Sequence, residues 1–244
     1  MRIMFIIARR ELAAYFSTPL AYVFLVTYAA SAGAMTFYVG GFFASRQANL
    51  STFFTFQPWL FLALIPAIGM RLWAEERRTG TIEILMTMPV STWEAVGGKF
   101  IAGWAFTGIA LLLTTPIWYT VNYLGSPDNG VIIASYVATF LMAGALLALA
   151  SCLSALTRNQ VIAFVISIAA CSLMMVGGAD VVVAALRKVA PAIIVDFVAS
   201  ASFLTHFVTI TNGVLDLRDT MFFLSFIALC LFINGQLIEI KKGS

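Results

Sequence analysis

Apolar residues fill this chain in long unbroken blocks, and the charged residues fall between them. No Asp, Glu, Lys or Arg occurs between Glu11 and Arg46, Arg46 and Arg71, Lys99 and Asp128, Asp128 and Arg158, Arg158 and Asp180, or Asp219 and Glu239. A helix needs about 20 apolar residues to cross the hydrocarbon of a bilayer, and charge buried there is costly. The six gaps therefore predict six transmembrane helices, at 19–38, 53–72, 100–121, 131–156, 160–177 and 220–238. A membrane barrel would alternate apolar and polar residues over about ten positions, whereas here whole blocks are apolar on every face. The expected fold is an all-α integral membrane protein, a single transmembrane domain over 1–244.

Composition agrees, with 61% of 244 residues hydrophobic and 10% charged against roughly 25% charged in an average soluble domain. Lys and Arg concentrate in cytoplasmic loops. With the N-terminus inside, Arg2, Arg9, Arg10, Arg71, Arg77, Arg78, Lys99, Arg158, Lys241 and Lys242 fall on the cytoplasmic side and only Arg46, Arg187, Lys188 and Arg218 outside. Both termini are thus expected in the cytoplasm.

The charges Arg9, Arg10 and Glu11 interrupt any signal-peptide core, so the first span is expected to stay in the mature chain. Residues 3–16 mix Phe5, Ile6, Leu12, Tyr15 and Phe16 with that cluster, which suits an amphipathic helix at the interface; a plain cytoplasmic extension of the first span is the simpler reading. Thr18 is the expected N-cap of the first span, with Pro19 at its first position. Segment 178–219 is the longest outside segment. Its apolar runs 181–186 and 192–207 are cut too short to cross by Asp180, Arg187, Lys188, Pro191, Asp196 and His206. Short re-entrant helices, a compact cap on the span ends, and a seventh span that would put the C-terminal lysines outside are the three alternatives.

Cys152, Cys171 and Cys230 lie inside predicted spans without metal or redox spacing and read as packing residues. The pairs Ala29/Gly33 and Gly144/Ala148 allow close helix approach, within the chain or at a subunit interface. Trp59, Trp73, Trp93, Trp104 and Trp118 read as interfacial anchors. Several chemistries are excluded. Gly97-Gly98-Lys99-Phe100 resembles the end of a phosphate-binding loop, yet Trp93 stands where the first Gly is needed and Phe100 where Ser or Thr should bind magnesium. Gly177-Gly178-Ala179-Asp180 lacks the glycine before the Asp and the second carboxylate of an intramembrane protease. A single histidine, His206, rules out HExxH and reads as a polar residue of the outer loop. No predicted span carries a central ionisable residue, so ion-coupled transport is weakly supported, although Pro66 and Pro116 are placed to kink the second and third spans. The chain is expected to be neither an enzyme nor a nucleic-acid binder, and no catalytic residue or metal ligand is assigned.

The distinctive segment lies between the second and third spans. Arg71 and the cluster Glu75, Glu76, Arg77, Arg78 mark the membrane exit, followed by Thr79. Gly80 is an expected N-terminal cap for a helix starting at Thr81, on which Ile82, Leu85 and Met86 share a face while Glu83 points elsewhere. Pro89 ends that helix, and Ser91-Thr92-Trp93-Glu94 is a capping box that starts the next. An apolar helix face anchored to two spans suits a lever docked in a groove of a cytoplasmic partner, or a connector lying on lipid headgroups.

This segment, Glu75 to Leu85 followed by Pro89-Val90-Ser91, resembles the signature of membrane-spanning permease subunits of type-2 ABC exporters. Ala8-Arg9-Arg10-Glu11-Leu12 with Tyr15-Phe16-Ser17-Thr18-Pro19 is similar to the opening of their gliding-motility-associated branch. The resemblance implies six helices, an N-terminal interfacial elbow at 1–18, a coupling helix at 79–88 and short re-entrant helices within 178–219. It implies that Glu75, Glu76, Arg77, Arg78, Thr79, Gly80, Thr81, Ile82, Glu83, Leu85, Met86 and Pro89 couple the permease to cytoplasmic ABC ATPase subunits, which bind the ATP and Mg. It further implies a second permease copy or a homologous permease as partner, membrane lipids around it, and the bacterial inner (plasma) membrane as its place. The function so implied is export driven by the separate ATPase; the alternative is a non-transport scaffold or mechanotransmission subunit linking the ATPase to an extracytoplasmic auxiliary protein. Residues do not identify the substrate or its binding site.

Overall fold

A computed structural model of the chain describes residues 2–45, 47–80, 90–188, 191–213 and 216–242. Among them the chain is helical throughout, without strands. The helices are α1 (Arg2–Phe16), α2 (Pro19–Ala34, continued by a π turn Met35–Val39), α3 (Phe42–Ser45), α4 (Ser51–Thr79), α5 (Thr92–Leu112), α6 (Thr115–Leu124), α7 (Asn129–Leu156), α8 (Gln160–Val176), α9 (Asp180–Leu186), α10 (Ala192–Ser200), α11 (Phe203–Thr211) and α12 (Leu217–Lys242).

Five helical stretches are long and apolar enough to cross a membrane: Pro19–Ala44, Ser51–Thr79, Thr92–Leu124, Asn129–Leu156 and Leu217–Ile240. The sixth expected span is the apolar α8, which has 17 residues and so reaches about 26 Å, less than the roughly 30 Å of hydrocarbon. The expected third span is divided: α5 stops at Leu112 and α6 restarts with Pro116 in its first turn. Proline has no N–H to continue the ladder, and Thr114 Oγ1 donates instead to the Leu111 carbonyl at 2.6 Å. By contrast Pro58 and Pro66 lie within the continuous α4.

Helix α7 is the axis of the bundle, packed against α4, α12, α8, α11 and α5. Its small residues explain this position. Ala134, Ala138, Ala143, Gly144, Ala148, Ser151, Ser154 and Ala155 are all buried, and such residues let backbones approach closely where no hydrophobic force distinguishes protein from lipid. A Cβ on Gly144 would meet Trp104 Nε1 at 2.8 Å, and one on Gly69 of α4 would meet Ala150 Cβ at 2.5 Å. The Gly144/Ala148 pair is therefore internal packing. Gly33 has nothing within 4 Å of the corresponding point among the described residues. Helix α2 follows this exposure, with 28% of its apolar window buried against 72% for α7.

Helix α1 lies along the first turns of α5 and buries Ile7 and Ala8 while Phe5 and Ile6 face outward. Gly97 and Gly98 make room for it: a Cβ on Gly97 would meet Met4 Sδ at 2.8 Å, and one on Gly98 the Ile7 side chain at 2.8 Å. The glycine pair that resembles half of a phosphate loop thus serves helix packing. Thr18 occupies the N-cap position of α2 with extended backbone, but its hydroxyl donates back to the Tyr15 carbonyl at 2.9 Å rather than capping forward.

Among its described residues, segment 178–219 holds the short helices α9, α10 and α11, where the sequence shows two apolar runs. The expected run 192–207 divides at Ser202, whose hydroxyl donates to the Met175 carbonyl at 2.9 Å. Cys152, Cys171 and Cys230 are free thiols buried in the packing, as expected.

Candidate functional site

Helix α4 does not stop where its apolar block ends. It carries on through Arg71 and the Glu75–Arg78 cluster to Thr79, and Gly80 terminates it at φ +74°, ψ 2°. Only glycine adopts that left-handed conformation without strain, and it is the usual residue just past a helix end. Gly80 is thus the stop of α4 and not the N-cap of a following helix. Arg77 and Arg78 fall in the last turn, where cations meet the negative end of the helix dipole.

Polar bonds lace this exit to four other helices. Glu76 Oε1 lies 2.6 Å from Lys99 Nζ on α5, and Glu11 Oε1 of α1 lies 3.4 Å from the same ammonium. Lys99 is 2% exposed, so it is no loop charge as its place in the sequence implies. A buried ammonium requires paired carboxylates, and here two converge on it from separate helices. Its ammonium also sits 5.4 Å over the Trp73 ring, a cation–π distance. Trp73 is fully buried and its indole donates to Ser151 Oγ on α7 at 3.1 Å; it is a core residue and not an interfacial anchor. Ser151 Oγ also accepts from Asn234 Nδ2 of α12 at 2.7 Å. Ser154 accepts from the Trp73 and Ala74 amides at 3.2 and 3.0 Å and donates to the Met70 carbonyl at 3.0 Å. Arg77 donates to the Ala155 carbonyl at 2.6 Å, and Arg71 to Glu75 Oε2 at 3.1 Å.

Electrostatics around Glu11 follow from this geometry. Burial pushes its carboxyl up, but the Lys99 ammonium, with Arg10 bonded at 2.9 Å, outweighs burial and holds it below the usual carboxylate range. Burial raises the neighbouring Tyr15 hydroxyl, which stays protonated. One oxygen of Glu76, Oε2, has no partner among the described residues.

Of the residues expected to form the coupling segment, Glu76 and Arg77 turn inward to these partners, while Glu75 pairs with Arg71 along α4 itself. Thr79 donates to the Glu75 carbonyl at 3.0 Å. Arg78 is exposed and lines a cavity of about 480 Å³ with Arg158 and Thr157, and neither arginine has an ion pair among the described residues. Thr81, Ile82, Glu83, Leu85, Met86 and Pro89 lie outside the described residues. The chain restarts at Ser91, where the expected capping box forms and Ser91 N donates to Glu94 Oε2 at 3.4 Å.

Sequence reasoning missed Lys99, Glu11, Trp73, Ser151 and Ser154 as members of this site. The available signal was the Gly97-Gly98 pair next to Lys99, which marks a helix lying across that turn. It also missed a second polar cluster at the opposite end. His206 is buried, with Nδ1 2.6 Å from Asp219 Oδ1 and Nε2 2.8 Å from the Ser200 carbonyl, stacked on Phe222 at 3.9 Å. It ties α11 to the start of α12 and is no loop residue in solvent.

The chain matches the family model described as ABC-2 family transporter protein over residues 21–235, from the first turn of α2 into the last turns of α12. No match was found among curated proteins.

Proposed function

Because the chain belongs to the ABC-2 family of transporters, and so is a multi-pass membrane permease whose partner is a cytoplasmic ABC ATPase, we propose that the segment following Gly80 is the contact through which that ATPase drives it. In this reading α8 completes six spans, α1 is the interfacial elbow, α9 to α11 are re-entrant, and the coupling helix, expected from 79, begins only after the Gly80 stop and lies within 81–88. Both termini face the cytoplasm of a bacterial cell, 1–244 forms one transmembrane domain, and a second permease completes the transporter. Residues 8–19 favour the gliding-motility-associated branch, and export is the direction.

The observation that carries the reading is the lacing of the α4 exit. A force applied just beyond Gly80 acts on a helix end bonded to α5 and α1 through Lys99 and to α7 through Trp73, Ser154 and Arg77. Packed elements joined by short polar bonds move together, so the contact would shift several helices at once. The permease itself supplies no bond chemistry in this scheme; ATP and Mg belong to the partner.

The test is the double substitution Ile82→Asp/Leu85→Asp in the full chain. Membrane insertion should be unchanged and recovery of the ATPase should fall about tenfold, equivalent to some 1.4 kcal/mol of association. Unchanged recovery overturns the assignment. Export is tested separately by ATP hydrolysis that rises with transported substrate; hydrolysis that instead follows an extracytoplasmic partner favours mechanotransmission.

A further inference from the structure

At the end of the bundle away from Lys99, a cavity of about 510 Å³ opens between the starts of α4 and α7 and the helix α11. Its size falls within the range of small-molecule sites, which run from about 300 to 1,000 Å³. Leu50, Phe54, Pro58, Ile132 and Phe207 supply apolar walls, and Trp59 stands at the side, about half exposed.

Most of the polar side chains around these walls present acceptors. Ser51 Oγ donates to Asn49 Oδ1 at 2.8 Å, Thr55 Oγ1 to the Ser51 carbonyl at 2.9 Å, Ser135 Oγ to the Val131 carbonyl at 2.7 Å, and Thr211 Oγ1 to the Val208 carbonyl at 3.0 Å. A hydroxyl has one proton and two lone pairs, so all four protons are committed within the chain and these oxygens have only lone pairs to offer. Asp128 adds a carboxylate. It caps α7 through one oxygen, Oδ1, which accepts from Gly130 and Val131 N–H at 2.9 and 3.3 Å, and a carboxylate has about four acceptor positions. Among the described residues the lining contains no Lys, Arg or His. Among the described lining side chains, the N–H donors are the amides of Asn49, which already gives one proton to Gln47 Oε1 at 3.0 Å, and Asn212, and the Trp59 indole.

We propose that this cavity binds an amphiphile whose apolar chain lies on the Phe54, Ile132 and Phe207 walls and whose headgroup is rich in hydroxyl or amine donors and carries no net negative charge. Among the described lining side chains acceptors outnumber donors, so a donor-rich headgroup satisfies the site, while an anionic one would face Asp128 with no cation among them to offset it. The open face of Trp59 suits either class, stacking on a sugar ring or attracting an ammonium. A glycosyl lipid and a long-chain amine are two sources of this chemistry. The site does not depend on the coupling reading, and its test measures binding alone, so either can fail without the other.

The full-length chain, with its copurifying ATPase, is placed in phosphatidylcholine nanodiscs doped with glucosyl diacylglycerol, dodecylamine or chain-matched phosphatidylglycerol, and bound lipid is counted by native mass spectrometry. Maltoside detergents are avoided because they carry the proposed headgroup chemistry. Retention of glucosyl diacylglycerol, of dodecylamine or of both at about tenfold or more over phosphatidylglycerol is expected, a difference of some 1.4 kcal/mol. Ile132→Trp, which fills the cavity, should abolish that retention, and Thr55→Val, which removes one acceptor without filling it, should weaken it. Asp128→Asn keeps the helix cap and should weaken dodecylamine more than the sugar lipid, which separates the two sources. Equal retention of phosphatidylglycerol, retention of neither probe, or retention unchanged in both Ile132→Trp and Thr55→Val overturns the proposal.

Discussion

At the α4 exit, polar side chains bond from one helix to another: Lys99 to Glu76 and Glu11, Trp73 to Ser151, Ser154 to the Trp73 and Ala74 amides, Arg77 to the Ala155 carbonyl. Around the cavity at the other end, the hydroxyls of Ser51, Thr55, Ser135 and Thr211 bond within their own stretch of chain. The same residue chemistry thus does two jobs. Where bonds cross between helices they tie those helices together; where they close locally, the hydroxyl lone pairs remain available to a ligand. Beside the cavity, bonds between elements do occur: His206 and Asp219 join α11 to α12, and Trp118 Nε1 of α6 donates to Asn129 Oδ1 of α7 at 2.8 Å.

The sharpest way to break this contrast is Lys99→Met, which leaves two carboxylates without their shared cation. Removing one partner of a buried pair costs about 3–5 kcal/mol, so a large drop in thermal stability and faster proteolysis of α1 are expected. Adding Glu76→Gln to that variant should cost less than the two single changes together, because the residues act as one network. A variant with unchanged melting temperature would mean that the exit is not held by this lacing.

Next in size are two changes at the α4–α7 contact. Gly69→Ala places a methyl 2.5 Å from Ala150 Cβ and should cost about 1–3 kcal/mol by overpacking. Ser154→Ala removes the hydroxyl that serves three backbone groups and should cost about 1–3 kcal/mol, the penalty of leaving buried polar groups unmade. Both are read by thermal unfolding in one fixed detergent.

Acid provides a milder probe. The Glu11 carboxyl is held below its ordinary value of 4.5, so its ion pair contributes stability that is fully present above that value and is lost as pH falls through the lowered folded value. Melting temperature should therefore decline on acidification below the ordinary carboxylate range, and Glu11→Gln should flatten that part of the profile. At the small end, Gly33→Ala meets nothing within 4 Å and should change stability by no more than about 1 kcal/mol, in the stabilising direction, since alanine is the better helix former. A loss comparable to that of Gly69→Ala would reveal a tight neighbour for α2 outside the chain.

Much of the helix layout was legible because it follows from solvent physics. Charge-free blocks of the right length mark where the chain can meet hydrocarbon, and each expected span overlaps a helix. The departures have local causes: Pro116 divides α5 from α6, Ser202 divides the outer run, and α8 has 17 residues. At the candidate site, the Ser91–Glu94 box was readable because capping acts over three residues. Gly80 was misread because glycine serves either end of a helix, and only its φ of +74° decides for the stop.

The linear order of apolar and charged residues determined by itself that this chain is helical and membrane-embedded, since burial cost depends on near neighbours in sequence. Tertiary structure alone decided that Lys99 is buried between Glu11 and Glu76, residues 88 and 23 positions away, that Trp73 is core, and that His206 faces Asp219. Those pairings depend on which helices lie side by side. That in turn is set by where small residues such as Gly69, Gly98 and Gly144 let backbones meet.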